Sequence, residues 1–331
     1  MSGSGFRLGC FAPQGWRGDL PDSLPEARRW QASIDVARRA ERSGYESIWV
    51  YEHLQSLRRE PPDPVFDPLL LLATLAWATS TARLGPMCLA VPLHHPARLA
   101  HQLACLDTMS QGRLEVGLGA GSDAGEARAF GISVPPLRER IFACGEAAEL
   151  LRACWSHPHT SFEGRYTVVE DALIYPKPLQ RPAPPIWIAG GGDRLTLWQV
   201  ARHADGCSLF GPPARVARKL QVLADHCQAA GRRLGSVRVA VVLDCLVADS
   251  DAAADLMVER YNRRGESAAA YRARRLVGSA QSCAQQLQEY LDLGVQEAIC
   301  YFPDSVSADG VEQLAAAVLA PVEVPGAGPG R

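Results

Sequence analysis

"PPIWIAGGGDRLTLWQVARHADGCSLF", Pro184 to Phe210, holds one complete structural unit. The apolar run Ile186–Ala189 ends in three glycines, Gly190, Gly191 and Gly192. A helical pattern over "RLTLWQVARHA" follows, and "CSLF" returns to strand character. Glycines in series remove side chains where backbone must turn sharply or approach another group closely. They also free backbone N–H groups at a helix N-terminus, the usual arrangement for holding a phosphate. A plain strand-to-helix turn needs one glycine, so this loop is expected to carry a ligand.

The same strand–helix unit recurs along almost the whole chain. "FRLGCF" (Phe6–Phe11) is the first expected strand, and Glu26–Ser43 reads as a helix ended by Gly44. "ESIWVY" is the second strand, and Asp67-Pro68 opens a helix with an N-cap carboxylate and a first-turn proline. "ARLGPMCLAVP" is the third strand, followed by a helix from His95-Pro96 to Gly112, and "RLEVGLGAG" is the fourth. Arg138–Trp155 is helical. His157–Pro185 breaks the rhythm with turns, prolines and a possible hairpin, and reads as an insertion. After the opening unit come a helix to Gly231, the strand "VRVAVVLDCLVA", more helix, "AICYF" and a last helix.

Eight such units with no linker between them predict a single-domain α/β protein over 1–331, a (β/α)8 TIM barrel. Insertions are expected after strand four and around strands seven to eight, with a disordered tail at about 322–331.

Composition narrows the function classes. The chain has 331 residues, 47% of them hydrophobic, and a net charge of −2. No basic stripe points to nucleic acid, and the most apolar run, Leu69–Ala78, is too short to span a bilayer. The N-terminus lacks the pattern of a signal peptide, so a cytoplasmic location is expected. The ten cysteines form no CxxC pair and read as reduced core residues. His94, His95 and His101 lack a ligand set of recognisable spacing, so no metal site is expected.

Barrel enzymes place chemistry in the loops after the strands. Glu52 and His53 end the second strand, where His53 is a candidate acid/base, histidine titrating nearest neutrality. After strand four, "GLGAGSDAGE" (Gly117–Glu126) departs from a dinucleotide fingerprint, because Ser122 stands where the last glycine belongs. It reads instead as a backbone loop against a flat or phosphorylated ligand, with Ser122, Asp123 and Glu126 as polar contacts.

Taken together, "GYESIWVYEHL", the segment from Leu84 to Gly121 and the opening stretch resemble the bacterial luciferase-like superfamily of flavin- and deazaflavin-dependent oxidoreductases. "LVGSAQSCAQQLQEYLDLGVQEAICYF" resembles its closing segment, so the likeness covers roughly 6–320. The opening stretch and "LADHCQAAGR" are most similar to the branch using coenzyme F420, a 5-deazaflavin.

The resemblance implies that His53 is catalytic and that Glu52, facing the cofactor ring, sets its protonation state. It implies a non-prolyl cis peptide near Met87–Cys88 behind the ring and a phosphate loop over Gly190, Gly191, Gly192 and Asp193. The loop after strand four, read from its own residues, is expected to contact the cofactor through Gly119, Ser122 and Asp123. Two positions depart from the family. Ser122 replaces a glutamate of deazaflavin sugar-phosphate dehydrogenases, and Ala120 replaces an arginine of the flavin enzymes.

The expected activity is hydride transfer between coenzyme F420 and a small organic substrate. The alternative is an FMN-dependent monooxygenase fed reduced flavin by a partner reductase; a barrel that only binds ligand is the third possibility. The apolar helix "LLLLATLAWA" suggests a homodimer, as in relatives. Substrate choice is expected to rest on His157–Pro185 and the stretch around Asn262–Val277.

Overall fold

The computed structural model describes residues 6–57, 60–262 and 265–319. The expected tail at 322–331 therefore lies outside the described residues. The first half runs β1 (Arg7–Phe11), α1 (Glu26–Arg42), β2 (Ser47–Val50), α2 (Pro68–Ala78), β3 (Arg83–Pro86), β4 (Leu89–Ala90), α3 (Pro96–Met109), β5 (Val116–Gly119), α4 (Ala124–Ala129) and α5 (Leu137–Ser156). An antiparallel hairpin follows, β6 (His159–Glu163) with β7 (Val168–Leu173). Then come β8 (Ile186–Ala189), α6 (Thr196–His203), β9 (Gly206–Leu209), α7 (Pro213–Ala229) and β10 (Arg238–Ala248). The chain closes with α8 (Asp251–Tyr261), α9 (Ala268–Arg272), β11 (Leu276–Ser279), α10 (Ala280–Asp292), β12 (Glu297–Tyr301) and α11 (Gly310–Leu319).

Parallel pairing runs β3-β2-β1-β12-β10-β9-β8-β5-β4. Because β3 and β4 are two halves of one stave, split only at Met87–Cys88, the ring closes as a (β/α)8 barrel. Both expected insertions are present. The hairpin precedes β8, and α8, α9 and β11 lie between β10 and α10, with β11 paired to the far end of β10.

Local signals account for the outer helices. Asp67 accepts from the N–H groups of Leu69 and Leu70 at 2.9 and 3.0 Å, with Pro68 in the first turn. The helices bury apolar faces against strands that are themselves buried on both sides, the pattern of a parallel sheet covered by helices.

The barrel interior is layered. At its floor Glu115 is bonded by Arg83, Arg238 and the Trp187 indole N–H, while Glu297 is bonded by Arg7 and Ser47. Above them Trp49 and Trp187 meet edge-to-face at 5.6 Å. They fit because the facing positions are glycines: a Cβ on Gly85 would lie 2.8 Å from Trp49, and one on Gly206 2.5 Å from Trp187. Two tryptophans against glycines plug the centre, and open space lies towards the carboxyl ends of the strands.

Candidate active site

That space is a cavity of about 840 Å3 at the carboxyl face, walled by Phe11, Tyr51, Met87, Val242 and Tyr301 and rimmed by the loops after the strands. The loop following β1 is pinned by a buried carboxylate. Asp19 accepts from the Tyr51 hydroxyl and from the Gly15 N–H, both at 2.7 Å. Burial pushes the Asp19 carboxyl up despite these donors. Gln14 adds a second clasp, accepting from the Tyr51 N–H at 2.7 Å and donating to Phe66 O at 2.9 Å. The pinned loop presents Trp16 and Arg17 to the cavity.

His53, just beyond β2, lies flat against Trp16 with ring centres 3.5 Å apart and planes 7° from parallel. Its Nδ1 is 3.0 Å from Glu126 Oε2, and the pair is nearly dry, with side chains 12% and 7% exposed. The other Glu126 oxygen accepts the backbone N–H groups of Leu54 and Gln55. A carboxylate accepting from Nδ1–H assigns the lone pair to Nε2, and His53 lines the cavity. Burial pushes the imidazole below its usual value, against the pull of Glu126. A neutral ring with a free Nε2 can accept a proton, and its protonated form can return one.

Glu52 has different partners from those expected. Its oxygens take His94 Nε2 at 2.7 Å and the Ala90 N–H at 2.6 Å, so it clamps the end of β4 and the segment after it rather than bonding His53. The carboxylate on His53 comes from Glu126, on the short helix after the strand-four glycines. Asp123 caps that helix, accepting from Gly125 and Glu126 N–H groups at 2.8 and 3.0 Å.

The peptide between Met87 and Cys88 is cis. The Cys88 thiol abuts Gly119, where an added Cβ would lie 2.2 Å from the sulfur. Burial pushes that thiol up to about 12, so it stays protonated and contributes shape only. The adjacent carbonyls of Ala120 and Gly121 are held by Arg140 at 2.7 and 2.6 Å.

Across the cavity, Gly190 has φ of +112°, and Gly192 sits against Thr196, whose hydroxyl an added Cβ would approach to 2.8 Å. Helix α6 starts at Thr196 without a side-chain cap; the Leu197 N–H bonds back to Gly192 O at 3.0 Å, so only part of the helix start is left for a ligand. Gly190, Gly192 and Thr196 line the cavity, whereas Gly191 and Asp193 do not. Asp193 turns its carboxylate to Lys219 and Arg218, which together hold it down at about 2. Lys219 also donates to Gly191 O, so a buried lysine from α7 staples the loop from behind.

The remaining wall is cationic. Arg17 donates twice to Asp244, at 2.7 and 2.9 Å, while its guanidinium lies 4.1 Å over the Tyr301 ring. Arg275 reaches the same carboxylate at 3.3 Å. Burial alone would raise Asp244, but Arg17 and Arg275 hold it below its usual value.

Glu52, His53, Met87, Cys88, Gly119, Ser122, Asp123, Gly190 and Gly192 thus surround one cavity. Sequence reasoning placed Glu126 only as a polar ligand contact, and did not find Trp16, Arg17 or Lys219. Lys219 left a trace, since the chain has two lysines and this one falls in an apolar helical pattern.

A closed parallel barrel with a histidine–carboxylate pair and an open glycine turn at its carboxyl mouth defines a ligand-binding barrel of the type that hosts enzymes. The luciferase-like monooxygenase family model matches residues 6–297, and the chain belongs to that family. It is 32% identical over 207 residues to the F420-dependent glucose-6-phosphate dehydrogenase of Kineococcus radiotolerans, covering 61% of this chain and 60% of the relative. It is 31% identical over 233 residues to the F420-dependent hydroxymycolic acid dehydrogenase of Mycobacterium tuberculosis, covering 69% and 62%. These matches span less than two thirds of either relative. Among solved structures, the monooxygenase RslO1 from Streptomyces bottropensis superposes with a TM-score of 0.79 at 24% identity, covering 95% of this chain and 99% of that one. Among the described residues, no helix is long and apolar enough to cross a membrane.

Proposed function

We propose that the chain is an oxidoreductase that transfers a hydride between coenzyme F420 and a small organic substrate. The observation that carries it is that the His53–Glu126 pair and the Gly190–Thr196 turn open into one cavity. The residues suit the cofactor. About 840 Å3 lies within the range of cofactor pockets, roughly 300–1,000 Å3. Gly119 keeps one wall flat where a side chain would collide with Cys88. The start of α6 has no side-chain cap, and apart from the Leu197 N–H, which Gly192 O takes, it would offer N–H donors to a phosphate. The choice of F420 over flavin rests on the two F420-dependent relatives.

When bound, the deazaflavin supplies the hydride chemistry. Gly190, Gly192 and Thr196 bind its phosphate, and Met87, Cys88 and Gly119 shape the wall for its ring. Ser122 and Asp123 border the same wall. His53 Nε2 takes up or returns the substrate's proton, while Glu126 fixes the tautomer through Nδ1. Glu52 holds the end of β4 through Ala90 and the segment after it through His94. The exposed face of α2, where Leu70 is 65% and Trp77 81% exposed, supports a homodimer. Trp77→Arg would then shift the mass in light scattering from dimer to monomer.

The second reading, an FMN-dependent monooxygenase supplied by a partner reductase, is favoured by the description of the family itself. Titrating F420 and FMN side by side decides between them. F420 should saturate at a concentration at least about tenfold lower, a difference of about 1.4 kcal/mol. Tighter binding of FMN, with turnover that requires oxygen, would overturn the first reading in favour of the second.

A further inference from the structure

Neutral aromatic rings pair preferentially edge-on or offset, and most pairs here do so. Trp16 meets Tyr51 at 59°, and Trp49 meets Trp187 at 82°. The Trp16–His53 stack is different, with centres 3.5 Å apart and planes 7° from parallel. That geometry sets the imidazole where a cation would lie over an indole face. Glu126 takes Nδ1, so the indole on the face and the carboxylate on the edge both favour a positive ring.

We propose that Trp16 is a positioning residue for proton transfer: it fixes the plane of His53 and stabilises the imidazolium formed when Nε2 gains a proton. The proton comes from an O–H or N–H of the substrate; that bond breaks, an N–H bond forms, and the reverse step returns it. The inference rests on the proton-transfer role proposed for His53.

Four groups bear on the charge of the ring. Glu126 and Asp123 face it from α4 and its cap, Glu52 from the preceding position, and the tilted Tyr51 ring stands 6.2 Å away. The three carboxylates raise the proton affinity of His53 and burial lowers it. Arg17, next to Trp16, is turned across the cavity onto Asp244. Trp16 works in the direction of the carboxylates. It stabilises a charge that is present in only one of the two states of the reaction, which uniform packing would not do.

The test uses the full-length protein without ligand. A protonated imidazole quenches an indole stacked on it, so tryptophan fluorescence should show a step as His53 titrates between pH 8 and 4. Trp198 also meets a histidine, His226, at 5.7 Å, so the step is read as the difference from the variants. His53→Gln and Trp16→Phe should each lose the same part of it and leave the Trp198–His226 part. Separately, histidine NMR titration of Trp16→Leu should place the His53 pKa lower by about 0.5–1 unit, on the order of three- to tenfold in proton affinity. Trp16→Phe should restore part of that shift. A fluorescence step of the same size in wild type, His53→Gln and Trp16→Phe, or a Trp16→Leu variant whose His53 pKa is unchanged or higher, would overturn the proposal. Neither readout needs a cofactor. If F420 failed to bind while the step and the shift appeared, the cofactor reading alone would fall.

Discussion

At the floor of the barrel the buried carboxylate Glu115 meets Arg83 and Arg238; at the mouth the buried carboxylate Glu126 meets His53. Both are nearly inaccessible, with side chains 2% and 7% exposed. What differs is the partner. Arginine stays charged at any pH a protein meets, so the floor is a fixed ion pair. Histidine changes charge within one or two units of neutrality, so the mouth can exist in two states. Burial would raise Glu115, but Arg238 and Arg83 outweigh it and hold the carboxyl below its usual value. At His53 burial outweighs Glu126, and the base is held neutral. A buried charge whose partner cannot titrate serves the fold; one whose partner can titrate is available to chemistry.

The sharpest break between the two ends should come from removing the titrating partner. His53→Ala is expected to lower kcat by about 10²–10⁴-fold, the usual contribution of a positioned acid/base. Cofactor affinity should stay within a few-fold, because Gly190, Gly192 and Thr196 lie across the cavity. Thermal stability should barely change. Steady-state kinetics beside a binding titration checks this. A rise in KM alone would make His53 a substrate contact and leave the mouth without its acid/base.

Next in size, Glu115→Leu should cost about 3–5 kcal/mol of unfolding free energy, since it leaves Arg83, Arg238 and the Trp187 indole N–H without their shared buried acceptor. The turnover per folded molecule should remain near wild type, because the plug of Trp49 and Trp187 separates floor from cavity. Denaturant melts and activity at low temperature test both halves. A stable but inactive variant would mean that the floor shapes the site after all. A smaller effect is expected at the glycine turn. Gly192→Val, which drives a side chain onto Thr196, should weaken cofactor binding on the order of tenfold, about 1.4 kcal/mol, with the fold intact. Gly191→Val has room beside Lys219 and Leu209 and should leave affinity unchanged.

The two ends also differ in how far the sequence disclosed them. The barrel was legible because its signals are local. Strand–helix alternation repeats, Asp67-Pro68 caps its own helix, and the prolines of His157–Pro185 mark a break that the structure shows as a hairpin. His53 was legible because position at a strand end and residue type suffice to nominate it. Its partner was not, because Glu126 is 73 residues away and only barrel closure brings β2 and α4 together. Glu52, adjacent in sequence, drew the assignment, yet neighbours on an extended chain point to opposite sides. Trp16 gave no sign, since one aromatic in a glycine-rich loop has no periodicity to read. Asp193 was read from its neighbours as part of a phosphate loop, and a lysine 26 residues on turns its carboxylate out of the cavity. Pairings between loops of different staves are set by closure, which no local window contains.

The smallest expected effect separates floor from mouth on the pH axis. In the folded protein His53 has a lower pKa than the roughly 6.5 of the unfolded chain. As pH falls below about 6.5 the unfolded chain therefore takes up the proton first. The stability tied to this histidine is present above that value and is lost as pH falls through the folded pKa. Glu126→Gln removes the charge that supports protonation, so the folded pKa drops by a further unit or so. The loss of stability should then extend to lower pH. The acid limb of kcat/KM should move down by about one unit, with only a few-fold fall in rate at pH 8 if the amide oxygen keeps the Nδ1–H bond. Its NH2 then faces the Leu54 and Gln55 N–H groups, which lowers stability by a pH-independent amount. The floor behaves otherwise. Glu115 is held below the usual carboxylate value, so its contribution is present above about 4.3 and is lost only as pH falls further. Between pH 5 and 7 a conservative change at the floor should shift stability by a constant amount, whereas one at the mouth should change its slope. Denaturation midpoints and kcat/KM profiles across pH 5–8 measure both. If Glu126→Gln left the limb and the slope where they are in the wild type, Glu126 would be a second structural carboxylate and the contrast between the ends would fail.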